Sequence, residues 1–565
     1  MLYLQRNILL PRLPILVAVL ALATSGWAIG EAAAAKATVC TITVNSSDEK
    51  DAFRRHMPKD KFEFVELVEP GNRNWLASAC QRGIQCDVLV ISGHFGGAQV
   101  AATEFYSAEA GSAEFLPVEE MERASCSDSC PGIFSKLKEV YLFGCDTLSP
   151  AASHATSDEI ARSLVQAGRT PQDASRISNA LNARHGETNR DRMRRIFAGV
   201  PIIYGFSSIA PLGPAAASTL SRYLQSASAS DVGNGQISQR LLSQFAANSM
   251  TVTNGLFDAD PQAGHRADVC QFFDDRLAPA QKLAFIHGLL RRDVTEVRMF
   301  FDRIDAFLAS LTDDERRSPA FAVPLATIAQ DKAARERYMA FARDAEPTTR
   351  TRMIQVAQTL GWLTPAEQHA EIARMVSELL AADTMSFGEV DLICSVNKRG
   401  EFDGEFEASG LPPSRQGTVN SWAALACLGN QESRVRMLLA LTSPRDADVQ
   451  MAQVYLLHRP IADAAEFRDV ANGLAQMPRS GAQLRTLDTL ARQHISDRAS
   501  LHELARLFSV ADTVGVQRAI AGIFIRADYA DLDRVALVHT LTDGRLKSPD
   551  GADLIDVLIR RLQLP

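Results

Sequence analysis

Cys86-Asp-Val-Leu-Val-Ile-Ser92 runs straight into Gly93-His94-Phe95-Gly96-Gly97. A nearly continuous apolar run of this length reads as a strand buried on both faces, as in a parallel sheet, and the glycines after it read as a turn. Val140-Tyr-Leu-Phe143 repeats the pattern and runs into Gly144-Cys145-Asp146. On either side of these two, Ala37 to Asn45, Phe62 to Val68 and Val200-Pro-Ile-Ile-Tyr-Gly-Phe206 carry the β-branched and aromatic residues of three more strands. Helical stretches fall between them: Glu49 to His56 behind the capping pair Ser47 and Asp48, Asn74 to Arg82, Ser157 to Ala167, and Pro171 to Ala183. Strands alternating with helices imply crossover connections, and so an open parallel α/β sheet.

From about Pro279 the strand-like runs stop, and helical periods follow one another with short Asp, Gly, Ser or Pro breaks. Val449-Gln-Met-Ala recurs as Val516-Gln-Arg-Ala, and Ala482-Gln-Leu-Arg lies near the midpoint. The interval suggests a unit of about 33 residues, the length of a helix pair in an α-solenoid. In period and amphipathicity this half resembles degenerate HEAT-type repeats. Asn397 to Gly417, polar and glycine-bearing, reads as a long loop within it. The expected division is a leader over residues 1–35, an α/β domain over 36–265 and a helical-repeat domain over 266–565.

The leader carries Arg6 and Arg12, no acid before Glu31, and the apolar run Leu13 to Leu22 followed by small residues. That is the layout of a cleaved secretory signal, and the run is shorter than the ~20 apolar residues that span a bilayer. The mature chain is therefore expected in the periplasm or outside the cell, off the membrane. Lys and Arg number 59 against 67 Asp and Glu, for a net charge of −8, and the charges are mixed along the chain. No basic face points to nucleic acid.

His94 and Cys145 both stand just past the carboxyl ends of expected core strands, where an open parallel sheet gathers its functional groups into one crevice. An imidazole beside a thiol takes its proton or holds it as a thiolate, which is the requirement of cysteine acyl transfer. His154, Asp158 and His185 follow on helices and are further candidates for that crevice. Gly93 to Gly97 lacks the spacing of a phosphate-binding loop, and there is no Gly-x-Ser-x-Gly elbow. Of the nine cysteines, none forms a Cys-x2-Cys pair, and Cys126-x3-Cys130 has no partner pair nearby, so neither a metal nor a cofactor is expected.

A buried strand ending in Ser-Gly-His and glycines, then one ending in Gly-Cys, resembles the caspase-like cysteine peptidases, the group of caspases, metacaspases, gingipains, separase and CHAT domains. Leu116-Pro-Val-Glu-Glu-Met followed by Val140 to Cys145 is most similar to the CHAT variant. The match covers roughly residues 37 to 215. It implies a caspase–haemoglobinase fold with His94 as general base and Cys145 as nucleophile, and an oxyanion bound by backbone amides at Phe95 and Gly96. Two positions depart from the family pattern. Phe95 stands where glycine is usual, and Phe143 stands where members cutting after Arg or Lys often carry an acid. Pro211-Leu-Gly-Pro214 is similar to a loop at the mouth of such a crevice.

Together these readings predict an exported cysteine endopeptidase acting on protein or peptide, with the helical half binding substrate or a partner. The alternative is a non-catalytic interaction scaffold built on the helical repeats, and a minor third reading is an acyl- or nucleotide-binding domain. Export constrains the chemistry: with Cys145 left as a thiol, the other eight cysteines suffice for four bridges. Spacing favours Cys126–Cys130, Cys80–Cys86 and Cys394–Cys427, with Cys40–Cys270 as the remainder and connectivity open.

Overall fold

The computed structural model describes residues 36–564 apart from 45–46, 68–74, 98–102, 108–114, 127–129, 152–153, 167, 186–187, 227–230, 408–410, 413, 415, 462, 478–480, 529–531, 550 and 552. The expected leader, residues 1–35, lies outside the described residues. Two compact units emerge. The first comprises the residues up to Ala124, Ser129–Leu148 and Phe197–Gly255; the second comprises Ser125–Asp128, Ser149–Ile196 and Leu256–Pro565.

The first unit is built on a six-stranded sheet of β1 (Ala37–Thr43), β2 (Phe62–Glu66), β3 (Val88–Ser92), β7 (Glu139–Phe143), β8 (Ile202–Phe206) and β9 (Met250–Thr253). The order is β2-β1-β3-β7-β8-β9. The first five are parallel and β9 alone runs antiparallel, against β8. Every residue of β3, β7 and β8 is buried, so the continuous apolar runs became the central strands. Helices Asp48–His56 and Gly213–Ser226 pack on each other, and their apolar residues join the side chains of one sheet face in a core that includes Phe53, Val90, Tyr141, Tyr204 and Leu220.

The residues after β3 do not form a simple turn. They form β4 (His94–Gly97), which pairs antiparallel with β5 (Thr103–Tyr106), itself paired with β6 (Phe115–Pro117). Phe95 and Phe105, opposite each other with ring centroids 4.7 Å apart, give this small sheet its aromatic centre.

Among its described residues the second unit holds helices and no strand. Val419–Cys427, Asp446–His458, Gly481–Leu490, Val514–Arg526 and Leu554–Gln563 each pack on the next, and Gln431–Ala440, Ala464–Gln476, Arg498–Val510 and Arg534–Asp543 do the same. Two layers of helices result. The recurring segments at Val449, Ala482 and Val516 all fall on the first layer, and all three residues are buried. Residues 397–417 lie between helices, as read from the sequence. Among the described residues no helix is long and apolar enough to cross a membrane.

Four disulfides fit an oxidising compartment. Cys394–Cys427 is paired as spacing suggested, and the other three expected pairs are corrected: the bridges are Cys40–Cys86, Cys80–Cys130 and Cys126–Cys270. Parallel pairing of β1 with β3, Cys40 opposite Leu89, brings Cys86 beside Cys40 from a separation of 46 residues. Arg266 donates to the carbonyl of Ser125, and the same adjacency joins Cys270 to Cys126. Sheet pairing and helix packing, both non-local, decide the connectivity.

Candidate active site

Cys145 is the one cysteine left as a thiol, and it is partly exposed. It follows β7 with one glycine between, Gly144, as His94 follows β3 with Gly93 between. The two strands are adjacent and in register, Ser92 opposite Phe143. Their ends are drawn together by the Gly93 amide, which donates to the Phe143 carbonyl at 3.1 Å. A Cβ on Gly144 would stand 2.7 Å from Phe95 Cβ and 3.0 Å from the Gly93 carbonyl oxygen, so only glycine lets the two turns close.

The turn after Cys145 is fixed from the β8 side. Asp146 adopts φ 57°, a left-handed conformation that Asp tolerates better than most residues, and its amide donates to Ser208 O at 2.8 Å. The Thr147 hydroxyl donates to Gly144 O and accepts from the Phe206 amide at 3.1 Å. The amide of Ala210, in the loop after β8, donates to Cys145 Sγ at 3.4 Å.

His94 and Cys145 line one small cleft of about 50 Å³. Glu49 and Phe143 also line it, and Ala210 to Gly213 close it from the loop that leads into helix Gly213–Ser226. Of the loop Pro211–Pro214, Pro211, Leu212 and Gly213 line the cleft. The His94 ring stacks on Tyr106, centroids 5.5 Å apart. Leu212, 71% exposed, and Ile209, 75% exposed, present apolar surface on the same loop.

Phe95 and Gly96 sit in β4 opposite Phe105 and Glu104, and the Phe95 ring is buried; neither lines the cleft. The amide that points at the sulfur belongs to Ala210. Asp158 is exposed on the helix His154–Gln166, which belongs to the second unit. His185 is buried in that unit against His265, Nδ1 to Nδ1 2.9 Å. Burial pulls the His185 imidazole down to about 4 and drives His265 lower still, with the Arg195 guanidinium acting on both. Neutral imidazoles sharing one hydrogen bond are a core feature of the helices, not part of the cleft.

Glu49 is the site residue that sequence reading missed. It looks like an ordinary acid in the first turn of a helix, between Asp48 and Asp51. It is only 4% exposed. Burial raises its carboxyl to about 7, against the lowering effect of hydrogen bonds from its own amide and the Ser92 hydroxyl. Oε2 has no hydrogen-bond partner.

No protein-family model matches the chain, and neither the curated proteins nor the solved structures contain a significant match to it.

Proposed function

We propose that the chain is an exported cysteine endopeptidase of caspase-like type, with Cys145 as nucleophile, His94 as general base, and the two-layered helical unit as a HEAT-like solenoid that engages a protein. One observation carries this reading: the only free thiol among nine cysteines shares a small cleft with a histidine at the ends of two adjacent central strands. A thiol held for packing alone has no need of an imidazole and an inward-pointing amide at the same crevice.

The chemistry follows from the groups present. His94 takes the Cys145 proton, and the thiolate attacks the carbonyl carbon of a peptide bond. A C–S bond forms and the carbonyl π electrons move to oxygen. When the oxyanion collapses the C–N bond breaks, and the departing amine takes the proton from His94. Water, deprotonated by His94, then attacks the thioester; the acid is released and the thiolate is restored. Backbone amides at the turn are the donors available to the oxyanion. The test is hydrolysis of an unfolded protein by the purified, disulfide-intact chain and by Cys145→Ala. Activity that survives the substitution removes the reading.

A second reading, protein binding without catalysis, is favoured by a groove of about 690 Å³ in the helical unit, lined in part by Phe387, Val454, Leu457 and Leu484. Leu457 is exposed there. Under that reading partner capture is unaffected by Cys145→Ala and no proteolysis is seen.

A further inference from the structure

The three fully buried strands β3, β7 and β8 contain one glycine, Gly205 in β8. Glycine weakens the interior of a strand, and its place there marks a close approach by another part of the chain. A Cβ on Gly205 would stand 2.7 Å from Thr147 Oγ1 and 2.8 Å from Leu148 Cγ. What Gly205 admits is therefore the turn that carries Cys145.

Strands β7 and β8 pair in parallel as far as Tyr141 and Tyr204. Past that point the turn serves the β8 backbone. The Phe206 amide donates to Thr147 Oγ1 at 3.1 Å, and the Phe206 carbonyl accepts from the Leu148 amide at 2.9 Å. Thr147 is wholly buried, and its hydroxyl donates to the Gly144 carbonyl at 3.2 Å. One hydroxyl thus spans the turn from Gly144 to Thr147, with Cys145 and left-handed Asp146 at the corners, and ties it to the end of β8. Both bonds together need a side chain that donates and accepts at once, which a hydroxyl does and a hydrocarbon cannot.

We infer that Thr147 is a positioning residue for the nucleophile: its hydroxyl holds the Gly144–Thr147 turn in the arrangement that brings Cys145 to the cleft it shares with His94. Thr147 does not line that cleft, so it acts through Cys145 and not on substrate. Its effect on catalysis rests on the peptidase reading; its effect on the thiol does not.

The test uses the full disulfide-intact chain and follows alkylation of Cys145 by iodoacetamide at pH 7. Thr147→Val keeps the shape and loses the hydroxyl, whereas Thr147→Ser keeps the hydroxyl. Thr147→Val is expected to react at least ~10-fold more slowly than wild type, as a displaced reacting group does, and Thr147→Ser within about 3-fold of wild type. Thr147→Ala, smaller and also without a hydroxyl, is carried alongside with the same expectation as Thr147→Val in case the latter does not fold. His94→Ala alone is expected to slow the reaction at least ~10-fold, but less than about 3-fold further when added to Thr147→Val, because both remove the same pairing of thiol and imidazole. Val232→Ala controls for stability: Val232 is buried in the same core, and its neighbours Gly233 and Asn234 lie against Val88 and Glu139 at the starts of β3 and β7, so the wild-type rate is expected. An unchanged rate in Thr147→Val or His94→Ala, a Thr147→Ser as slow as Thr147→Val, or effects of Thr147→Val and His94→Ala that multiply overturns the inference.

Hydrolysis of an unfolded protein separates this from the peptidase reading. A kcat lowered at least ~10-fold in Thr147→Val with KM within about 3-fold of wild type supports both. Wild-type kcat in Thr147→Val overturns the inference and leaves the peptidase standing. If wild type hydrolyses nothing while the alkylation rates are coupled as expected, the peptidase reading falls and Thr147 keeps its role in placing the thiol.

Discussion

The Ala210 amide points at the sulfur of Cys145 from 3.4 Å, across the gap between the β7 turn and the loop after β8. A hydrogen bond to a charged acceptor is worth about 1.5–3 kcal/mol. Removing the donor with Ala210→Pro is therefore expected to slow alkylation of Cys145 at neutral pH about tenfold or more. Ala210→Gly keeps the N–H and serves as the control. Iodoacetamide rates across pH 5 to 10 check the point.

Gly144 lies against Phe95 closely enough that a methyl group has no room. Gly144→Ala is expected to cost about 1–3 kcal/mol and to shift the turn that carries Cys145. Chemical denaturation measures the first effect. Alkylation of Cys145 relative to wild type measures the second, and a normal rate with lowered stability would mean the turn tolerates the strain.

Legibility of the fold tracked the length and burial of each element. Strands β3, β7 and β8 announce themselves because residues covered on both faces must be apolar. The β4–β5–β6 sheet does not: Gly96 and Gly97 read as a turn, and the strands are held by tertiary contacts such as Phe95 on Phe105. Counting required one thiol to be left over, and the place of Cys145 at the end of a core strand singled it out, whereas three of four bridges depended on packing between distant segments. Glu49 was hidden for a different reason. Acids are the normal residues of a helix first turn, and only burial distinguishes this one.

The thiol count offers a direct check of the bridges. Unreduced, unfolded protein should titrate one thiol per chain, and Cys145→Ala none. Peptide mapping should recover Cys126 with Cys270 and Cys80 with Cys130. Recovery of Cys126 with Cys130 would contradict the packing described here.

The His185–His265 pair predicts acid sensitivity in the helical unit. Both imidazoles have folded pKa values below the unfolded value, so the unfolded chain binds protons first as pH falls. The stability they contribute is full above about pH 6.5 and is lost on acidification; for His185, held at about 4, the loss amounts to roughly 3 kcal/mol by pH 4. Glu296 and Asp268 oppose the shift of His185, and Arg184 and Arg195 add to it. Urea unfolding at pH 7 and pH 4.5 should show this slope in wild type and a shallower one in His185→Leu/His265→Leu. Equal slopes would show that other groups control acid unfolding.

The pairing of Cys145 with His94 is tested most directly by mass spectrometry after reaction with a peptide carrying a thiol-reactive carbonyl group. The expected result is a single adduct on Cys145, absent from Cys145→Ala and formed about 100-fold more slowly in His94→Ala. An adduct that persists in Cys145→Ala, or forms at the wild-type rate in His94→Ala, would contradict it.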